Sequence, residues 1–243
     1  MSTRLSNEVD ALASYLVEAV GAGHQTVVSW LNHHSVQVSF KDPVSCAALA
    51  QTDIVGTDGL LLAGLVGAKA RTSADQLIPM LLPRLGATRI CVIGSTEESL
   101  ALALPKLAEL LGSGSTIVGA MNGYEALLRE SALGAWIDSL EADVVIVGVG
   151  PGLQDAIAIE AKNNSSSRLI LTCGGFLDQI HQNSYYPAWA YPLKLNWAVR
   201  LCREPRRLWR RYSLDAISAV RRRSLIAERV SGLDGFQQYQ RLF

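Results

Sequence analysis

Long hydrophobic runs are missing from this sequence of 243 residues, and no apolar stretch approaches the ~20 residues that a transmembrane helix needs. Residues 1–10 lack a basic region followed by an apolar core, so we expect no signal peptide. Only 4 cysteines occur, far apart and without a CxxC pair, and the 4 histidines show no metal-ligand spacing. These absences argue against a disulfide scaffold and predict a chain of the reducing cytosol with no metal site.

Two common nucleotide-binding motifs are also absent. No GxxxxGK[ST] loop occurs, which excludes a P-loop ATPase. The segment 148–152 is rich in glycine but lacks the GxGxxG spacing of a dinucleotide fingerprint, which argues against bound NAD. We therefore expect no cofactor.

Charge is balanced over the whole chain, with 22 Lys or Arg and 22 Asp or Glu, but it is unevenly distributed. Between residues 194 and 230, eleven Lys or Arg stand against three Asp or Glu, so the remainder of the chain is acidic. The basic segment could meet phosphate or an anionic membrane surface, or its arginines could only pair with the acidic body. A nucleic-acid surface is a weaker third interpretation, and since no nucleic-acid module accompanies the charge, we expect no nucleic-acid partner.

The basic segment has the pattern of amphipathic helices. Pro205 is tolerated in the first turn of a helix and poorly later, so a helix is predicted to begin there. Leu208, Trp209 and Tyr212 follow as an apolar stripe at helical spacing, with arginines beside it. Trp and Leu next to Arg are typical of a helix that lies among lipid headgroups.

Apolar runs alternate with helical stretches from about residue 73 onward. The runs are rich in β-branched residues, which indicates strands buried on both faces, joined by right-handed helical crossovers. We predict strands at residues 89–94, 116–119, 143–150 and 168–175, and helices at about 97–111, 124–140 and 153–163. The predicted fold class is α/β: a doubly wound, parallel, Rossmann-like sheet in residues 1–194, with a basic amphipathic helical appendage in residues 195–243.

The N-terminal third shows a less regular pattern. We predict helices at about 7–20 and 60–66 and strands at 27–31 and 53–59. Residues 35–40 alternate between polar and apolar side chains as a second strand would, although a helix is possible there.

Small residues end the predicted strands, as at Gly94, Gly119 and Gly148. Ligands of open parallel sheets bind at the carboxyl ends of the strands, so a nucleotide-like cleft is predicted there. Asp58 also stands at a strand end, directly before a glycine and an apolar helix. Partial burial would raise the pKa of its carboxyl toward that of a general base, but Asp is equally a favoured helix N-cap, and both roles stay open.

In this order, these features resemble the WecG/TagA/CpsF family of bacterial glycosyltransferases over roughly residues 7–213. The strongest match is at residues 204–212, which keep the family's Glu-Pro-x-Arg-Leu-x-x-Arg-Tyr pattern. Asp58 falls in the family's Pro-Asp-Gly element, and residues 148–155 match its Gly-Leu-Gly-x-Pro-Lys-Gln-Glu motif. Asn32 looks like the family's active-site Asn, which would make residues 33–41 helical.

The resemblance implies transfer of a sugar, N-acetylmannosamine-like or a related hexose, from a UDP-sugar to a polyprenyl-pyrophosphate-linked acceptor in surface polysaccharide biosynthesis. Asp58 would be the catalytic base, and displacement would invert the anomeric centre. Because no DxD pair stands at a strand end, arginines rather than a metal would bind the diphosphate. The substrate-binding residues would be Asn32, Arg71, Asp75, Gly94, Gly123, Tyr124, Gly150, Gln154, Arg200, Arg207, Arg210 and Arg211.

Several positions depart from the family pattern, and Arg71 and Asp75 stand one residue closer together than the family's matching Arg and Asp. Trp30 stands where the family has Thr, Leu153 where it has Lys, and Tyr185 where it has Arg. An alternative function therefore stays open: a catalytically degenerate paralogue that binds a UDP-sugar or a partner enzyme without turnover.

The implied acceptor also predicts where the protein acts. A polyprenyl-linked substrate lies in a membrane, and the basic appendage suits an anionic membrane surface. We expect a cytoplasmic protein that is peripherally associated with the inner face of the plasma membrane, with a homo-oligomer as a further possibility.

Overall fold

A six-stranded sheet forms the centre of the structure, a computed structural model that describes residues 2–128, 132–182 and 195–243. The strands are β1 (Thr26–Leu31), β2 (Ile54–Thr57), β3 (Arg89–Gly94), β4 (Thr116–Met121), β5 (Val144–Gly148) and β6 (Leu169–Thr172). They lie in the order β2-β1-β6-β5-β3-β4, and every neighbouring pair is parallel. The predicted α/β, Rossmann-like fold class is confirmed.

Helices connect the strands and cover both faces of the sheet. They are α1 (Ser2–Gly21), α2 (Ser35–Ser39), α3 (Pro43–Ala50), α4 (Leu60–Val66), α5 (Ala74–Leu81), α6 (Glu97–Ala108), α7 (Gly123–Leu128), α8 (Leu133–Ser139), α9 (Leu153–Asn164) and α10 (Phe176–Ile180). The single helix predicted over residues 124–140 corresponds to α7 and α8, with residues 129–131 outside the described ranges.

The basic segment, taken from here on as the whole predicted appendage of residues 195–243, is helical, as predicted. It contains α11 (Asn196–Arg203), α12 (Pro205–Arg210), α13 (Ala216–Arg221), α14 (Arg223–Ser231) and α15 (Asp234–Arg241). A π-helical turn, Arg211–Asp215, joins α12 to α13. None of the helices in the described parts of the chain combines the length and the apolar character needed to cross a membrane.

The sheet has a hydrophobic core on each face, because successive residues of a strand point to opposite sides. In β5, Val144 and Ile146 enter one core, while Val145 and Val147 enter the other. The first core is completed by α1, α5, α6 and the last two helices, and the second by α8 and α9. Full burial of each such side chain contributes about 1.5–3 kcal/mol, so the two cores hold the strand ends in fixed positions.

Residues 35–39 form helix α2, so the strand predicted from the alternation of polar and apolar side chains in residues 35–40 is wrong. The Oδ1 of Asn32 accepts hydrogen bonds from the backbone N–H groups of His34 and Ser35, both at 3.0 Å. The hydroxyl of Ser35 accepts one from the backbone N–H of Asn32 at 2.8 Å. These bonds satisfy N–H groups that the start of a helix leaves without partners. In so short a segment, this local cap outweighs the side-chain alternation.

The end of the basic segment packs into the first core. On α15, Phe236 and Tyr239 are 2% and 0% exposed. The Tyr239 hydroxyl accepts a hydrogen bond from the backbone N–H of Thr72 at 3.1 Å and lies 3.1 Å from the Thr72 hydroxyl, which accepts one from Trp30 Nε1 at 3.0 Å. The division at residue 195 stays a prediction, and these contacts show that the second part contributes to the core of the first.

Tyr239→Phe should lower the free energy of unfolding by about 1–3 kcal/mol, because it leaves the buried N–H of Thr72 without its acceptor. Urea unfolding followed by tryptophan fluorescence measures the change. Tyr15→Phe is the control, since within the described parts of the chain its partly exposed hydroxyl accepts a single 3.4 Å bond, from Gln238, and the substitution should cost about 0.5 kcal/mol or less. Equal losses in the two variants would contradict the assignment.

Candidate functional site

An open cavity of about 1250 Å³ lies along the carboxyl edge of the sheet. Residues that follow all six strands line it, so the parallel arrangement brings segments distant in sequence to one place. After β3 the chain crosses to β4 in one direction along the sheet, and after β5 it crosses to β6 in the opposite direction. The crevice between the neighbouring strands β3 and β5 is therefore a topological switch point. The cavity exceeds the ~300–1,000 Å³ of ordinary ligand pockets, so it has room for more than one substrate.

Most of the predicted site residues line this cavity. They are Asn32, Asp58, Arg71, Asp75, Gly123, Tyr124, Gly150, Gln154, Arg200, Arg210 and Arg211. Gly94 does not: a side chain there would collide with the backbone carbonyl of Gly148, and the following Ser95 lines the cavity instead. The side chain of Arg207 and the whole of Tyr185 lie outside the described residues.

Asp58 lies at the carboxyl end of β2, where its position is set by strand pairing. Its backbone N–H donates a hydrogen bond to the carbonyl of Leu31 at 2.8 Å, which continues the β1–β2 ladder by one residue. The N-cap of α4 is Gly59, so Asp58 lies one residue before the capping position. The capping interpretation of Asp58 is therefore wrong, and its carboxylate is available to the cavity that it lines.

The surroundings of Asp58 act on its ionisation in opposite directions. Burial raises the pKa of this carboxyl above its ordinary value, and the nearby carboxylate of Asp75 raises it further. The guanidinium groups of Arg211, Arg71 and Arg200 oppose the increase. The net result is a raised pKa, which makes Asp58 a stronger base than an exposed aspartate while its partly exposed side chain still reaches the cavity.

Three arginines from separate parts of the chain converge on the two carboxylates. Arg71 precedes α5, Arg200 lies on α11 and Arg211 opens the π-helical turn. A planar guanidinium group can donate two parallel hydrogen bonds to two oxygens of one phosphate, so this cluster of arginines suits a diphosphate. Among the described residues, no group of three His, Cys, Asp or Glu side chains is placed to hold a metal ion.

The missing side chain of Gly175 makes room for one of these arginines. A Cβ atom at Gly175 would lie 3.4 Å from Nη2 of Arg200, so the guanidinium reaches over the carboxyl end of β6. The basic segment therefore contributes to the cavity directly rather than only flanking it.

Two amide side chains in the cavity are oriented by the backbone. The amide oxygen of Asn32 is used in capping α2, as described above. The Oε1 of Gln154 accepts a hydrogen bond from the backbone N–H of Gly174 at 3.2 Å, and Gln154 is 4% exposed. With both oxygens occupied, each side chain offers its NH₂ group as a donor to a ligand oxygen.

Asp178 on α10 also lines the cavity, and the sequence analysis did not identify it. Its Oδ1 accepts hydrogen bonds from the hydroxyls of Ser95 and, at 3.0 Å, Ser99. Ser95 has a φ of 62°, a left-handed conformation that is uncommon outside glycine and that clusters at functional sites. The signal that could have found Asp178 is a carboxylate shortly after the Gly174-Gly175 strand end.

A buried acid lies behind Gln154. Asp155 is 2% exposed, and its Oδ1 accepts a hydrogen bond from the hydroxyl of Ser29 at 2.6 Å. Ser29 in turn accepts one from the hydroxyl of Thr172 at 3.0 Å. Burial raises the pKa of Asp155 to about 6, although the bond from Ser29 opposes this. This chain ties α9 to β1 and β6 beneath the cavity.

Comparisons with known proteins bear on what occupies the cavity. The family described as "Glycosyl transferase WecG/TagA/CpsF family" matches residues 1–234. A Shigella boydii protein named UDP-Gal:alpha-D-GlcNAc-diphosphoundecaprenol beta-1,4-galactosyltransferase is 32% identical over 117 residues, which are 46% of this chain and 48% of that relative. The chain is thus aligned with about half the length of that relative. The family resemblance carried by the sequence motifs is confirmed.

Asp155→Asn should gain stability relative to the unchanged protein as pH rises from about 4 to about 7. The folded protein holds the Asp155 proton up to a pKa of about 6, whereas an unfolded aspartate loses it near ~3.9. The folded state therefore binds more protons in this window, and its stability falls as pH rises. Asparagine has no proton to lose and can still accept the hydrogen bond from Ser29. The difference in the free energy of unfolding between the variant and the unchanged protein should therefore grow by roughly 2–3 kcal/mol over this pH range.

Urea titrations of both proteins at pH 4, 5, 6 and 7 measure this difference. Asp138→Asn is a control of opposite sign, because hydrogen bonds from Ser166 lower the pKa of Asp138. That variant should lose stability relative to the unchanged protein as pH rises. A pH-independent difference for Asp155→Asn would show that its carboxyl is not buried as described.

Proposed function

Because the chain belongs to the WecG/TagA/CpsF family of glycosyltransferases, we propose that it transfers a hexose from a UDP-sugar to a polyprenyl-diphosphate-linked acceptor at a membrane surface. The observation that carries this proposal is Asp58, a carboxylate of raised pKa in the large cavity, with guanidinium groups acting on it. A base beside a diphosphate-binding cluster is what transfer from a nucleoside diphosphate sugar requires. The cavity also has room for both substrates.

The proposed reaction is a single displacement at the anomeric carbon. The acceptor hydroxyl gives its proton to the Asp58 carboxylate as its oxygen bonds to the anomeric carbon of the donor. The bond from that carbon to the diphosphate oxygen breaks, and its electron pair leaves with UDP. Attack opposite to the leaving group inverts the anomeric centre. A general base works best when its pKa is near the working pH, and the raised pKa of Asp58 supports this role.

The arginine cluster supports a reaction that needs no metal. Negative charge grows on the diphosphate as the anomeric bond breaks, and fixed guanidinium groups stabilise it where it develops. Arg71, Arg200 and Arg211 all act electrostatically on Asp58, so a diphosphate that they bind would lie beside the base. The NH₂ groups of Asn32 and Gln154 would donate to hydroxyl or acetamido oxygens of the sugar.

The nucleoside of the donor would occupy the β3–β5 switch point. Asp178 can accept hydrogen bonds there, and the ring of Tyr124, 70% exposed, offers a face for a base to stack on. The donor sugar stays open between N-acetylmannosamine-like and other hexoses. The Shigella boydii relative is named for UDP-Gal as donor and GlcNAc-diphosphoundecaprenol as acceptor, which supports the lipid-diphosphate part of the proposal.

The outer surface of the basic segment supports docking to a membrane. Trp209, Leu214 and Ile217 are 55%, 52% and 51% exposed, on a segment that also carries many arginines. Apolar side chains beside arginine suit an interface of acyl chains and anionic headgroups. We propose that this surface holds the protein at the cytoplasmic face of the plasma membrane, where the open cavity meets the lipid-linked acceptor.

Asp58→Asn should keep UDP affinity within about twofold but lower kcat for transfer by about 10²–10⁴-fold, because it keeps the side-chain shape and removes the base. The assay is a panel of UDP-sugars with a short-chain polyprenyl-diphosphate-GlcNAc acceptor, followed by product chromatography. Calorimetry measures UDP affinity in parallel. The matched control is Asp10→Asn, because Asp10 is half-exposed and pairs with Arg84, and neither of these residues lines the cavity.

Two outcomes would change the proposal. UDP binding without transfer to any acceptor would favour the catalytically degenerate paralogue, for which Leu153 is the structural argument, since an apolar side chain lines the cavity at a position where the family has Lys. A loss in Asp58→Asn of less than about tenfold would remove Asp58 from the role of base.

Trp209→Ser combined with Leu214→Ser should weaken binding to anionic liposomes, because both exposed apolar side chains are removed without changing charge. Flotation at several salt concentrations measures it, and binding should decrease as the Debye length falls to ~8 Å at physiological ionic strength. Leu102→Ser is the control, because it removes an equally exposed leucine from α6. Unchanged liposome binding in the double variant would overturn the docking surface.

A further inference from the structure

Three polar side chains that follow Asn32 hold the π-helical turn of the basic segment. The ring Nε2 of His33 lies 2.9 Å from the backbone carbonyl of Arg211, the first residue of the turn. The ring Nδ1 of His34 lies 2.7 Å from Oδ2 of Asp215, the last residue of the turn. Gln37 adds a third contact, since its Nε2 donates to the carbonyl of Asp215 at 2.8 Å.

The acceptor in the His33 contact determines which ring nitrogen of His33 carries a hydrogen. A carbonyl oxygen only accepts, so Nε2 of His33 carries the hydrogen and donates. His33 is 7% exposed, and burial lowers its pKa, which favours the neutral imidazole. The ring also packs near Tyr212, with 5.7 Å between ring centroids. The contact is therefore a buried, directional hydrogen bond in a packed position.

The turn that these side chains hold presents Arg211 to the catalytic carboxylate. Arg211 lines the cavity, and of the three arginines that lower the pKa of Asp58 it has the largest effect. A π-helical turn is rare, and it shifts the register of the side chains that follow it relative to an α-helix. The backbone position of Arg211 therefore depends on how the turn is held at its two ends.

The two histidines also belong to the loop that orients Asn32. The Oδ1 of Asn32 accepts a hydrogen bond from the backbone N–H of His34, so the amide side chain is bound directly to the backbone of the histidine segment. One short segment after β1 thereby links the sugar-binding amide to the phosphate-binding arginine, although 178 residues separate His33 from Arg211.

From these contacts we propose that His33 and His34 are positioning residues, which set the place of Arg211 over Asp58 by holding the π-helical turn. The inference rests on the proposed function, because it assigns to Arg211 the stabilisation of the leaving diphosphate. Both histidines line the cavity, and the role that we assign to them is to place Arg211 rather than to exchange a proton with the substrate. Their effect on transfer passes through the Arg211 guanidinium, and this makes the proposal testable.

The experiment is a double-mutant cycle on the full chain, with kcat for transfer and UDP affinity measured in each variant. His33→Phe keeps the ring beside Tyr212 and removes the donor. It should lower kcat about tenfold in the unchanged background, since displacements of about 1 Å in a site can cost up to ~10²-fold. In the Arg211→Ala background, His33→Phe should change kcat less than twofold, because the group that it positions is gone.

Rescue and control variants separate positioning from general packing. His33→Gln restores an N–H donor and should recover most of the lost kcat, whereas a packing role would not distinguish it from other polar replacements. His24→Phe makes the same chemical change at an exposed position before β1 and should leave kcat unchanged. If His33→Phe does not fold, His34→Phe, which removes the contact to Asp215, takes its place in the cycle.

The outcomes distinguish this inference from the proposed function. Suppose that the protein transfers sugar and that His33→Phe lowers kcat by the same factor with and without Arg211→Ala. That result would overturn the positioning role and leave the proposed function intact. If the unchanged protein binds UDP without transferring sugar, the proposed function fails. The positioning role is then tested by the same double-mutant cycle with UDP affinity as the measured quantity, and a loss from His33→Phe that disappears in the Arg211→Ala background would support it. A protein that binds no UDP and transfers no sugar would overturn both.

Discussion

The parallel pairing of β1 with β2 and β6 brings Asn32, Asp58, Gln154 and Arg200 to one end of the cavity. Leu31 pairs with Thr57, so the chain leaves both strands at the same level, and Asn32 and Asp58 follow at neighbouring places. On the other side, β6 brings in the Gly174-Gly175 turn, against which Gln154 and Arg200 lie. Hydrophobic cores on both faces hold the strands, so these polar groups are placed by packing that lies away from them.

Opposing electrostatic effects meet at Asp58. Withdrawal from water and a second carboxylate favour the protonated acid, while three guanidinium groups favour the carboxylate. The balance leaves the pKa raised, and the same guanidinium groups are suited to a diphosphate. The proposed base, the arginines and the amide donors thus lie in one cavity, and the arginines act on the ionisation of the base.

The basic segment has three surfaces with different physical roles. Phe236 and Tyr239 are buried in the first core and tie the chain end to Thr72. Arg200 and Arg211 face the cavity. Trp209 and its exposed neighbours face outward. A strongly charged composition therefore describes the segment poorly, because its helices differ in whether they pack into the core, line the cavity or face outward.

The sequence by itself determined the α/β class, because β-branched runs between helical stretches leave few other ways to bury that much apolar surface. Its position at a strand end before glycine also located Asp58, and the family resemblance implied Asn32 and Gln154. Tertiary structure alone decided the rest. The hydrogen bonds that Asn32 accepts at the start of α2 favour a helix over residues 35–39, and Gly59 rather than Asp58 is the N-cap of α4, so Asp58 lines the cavity. Asp178, and the hold of His33 on a turn 178 residues away, arise from contacts between distant segments, which no local pattern encodes.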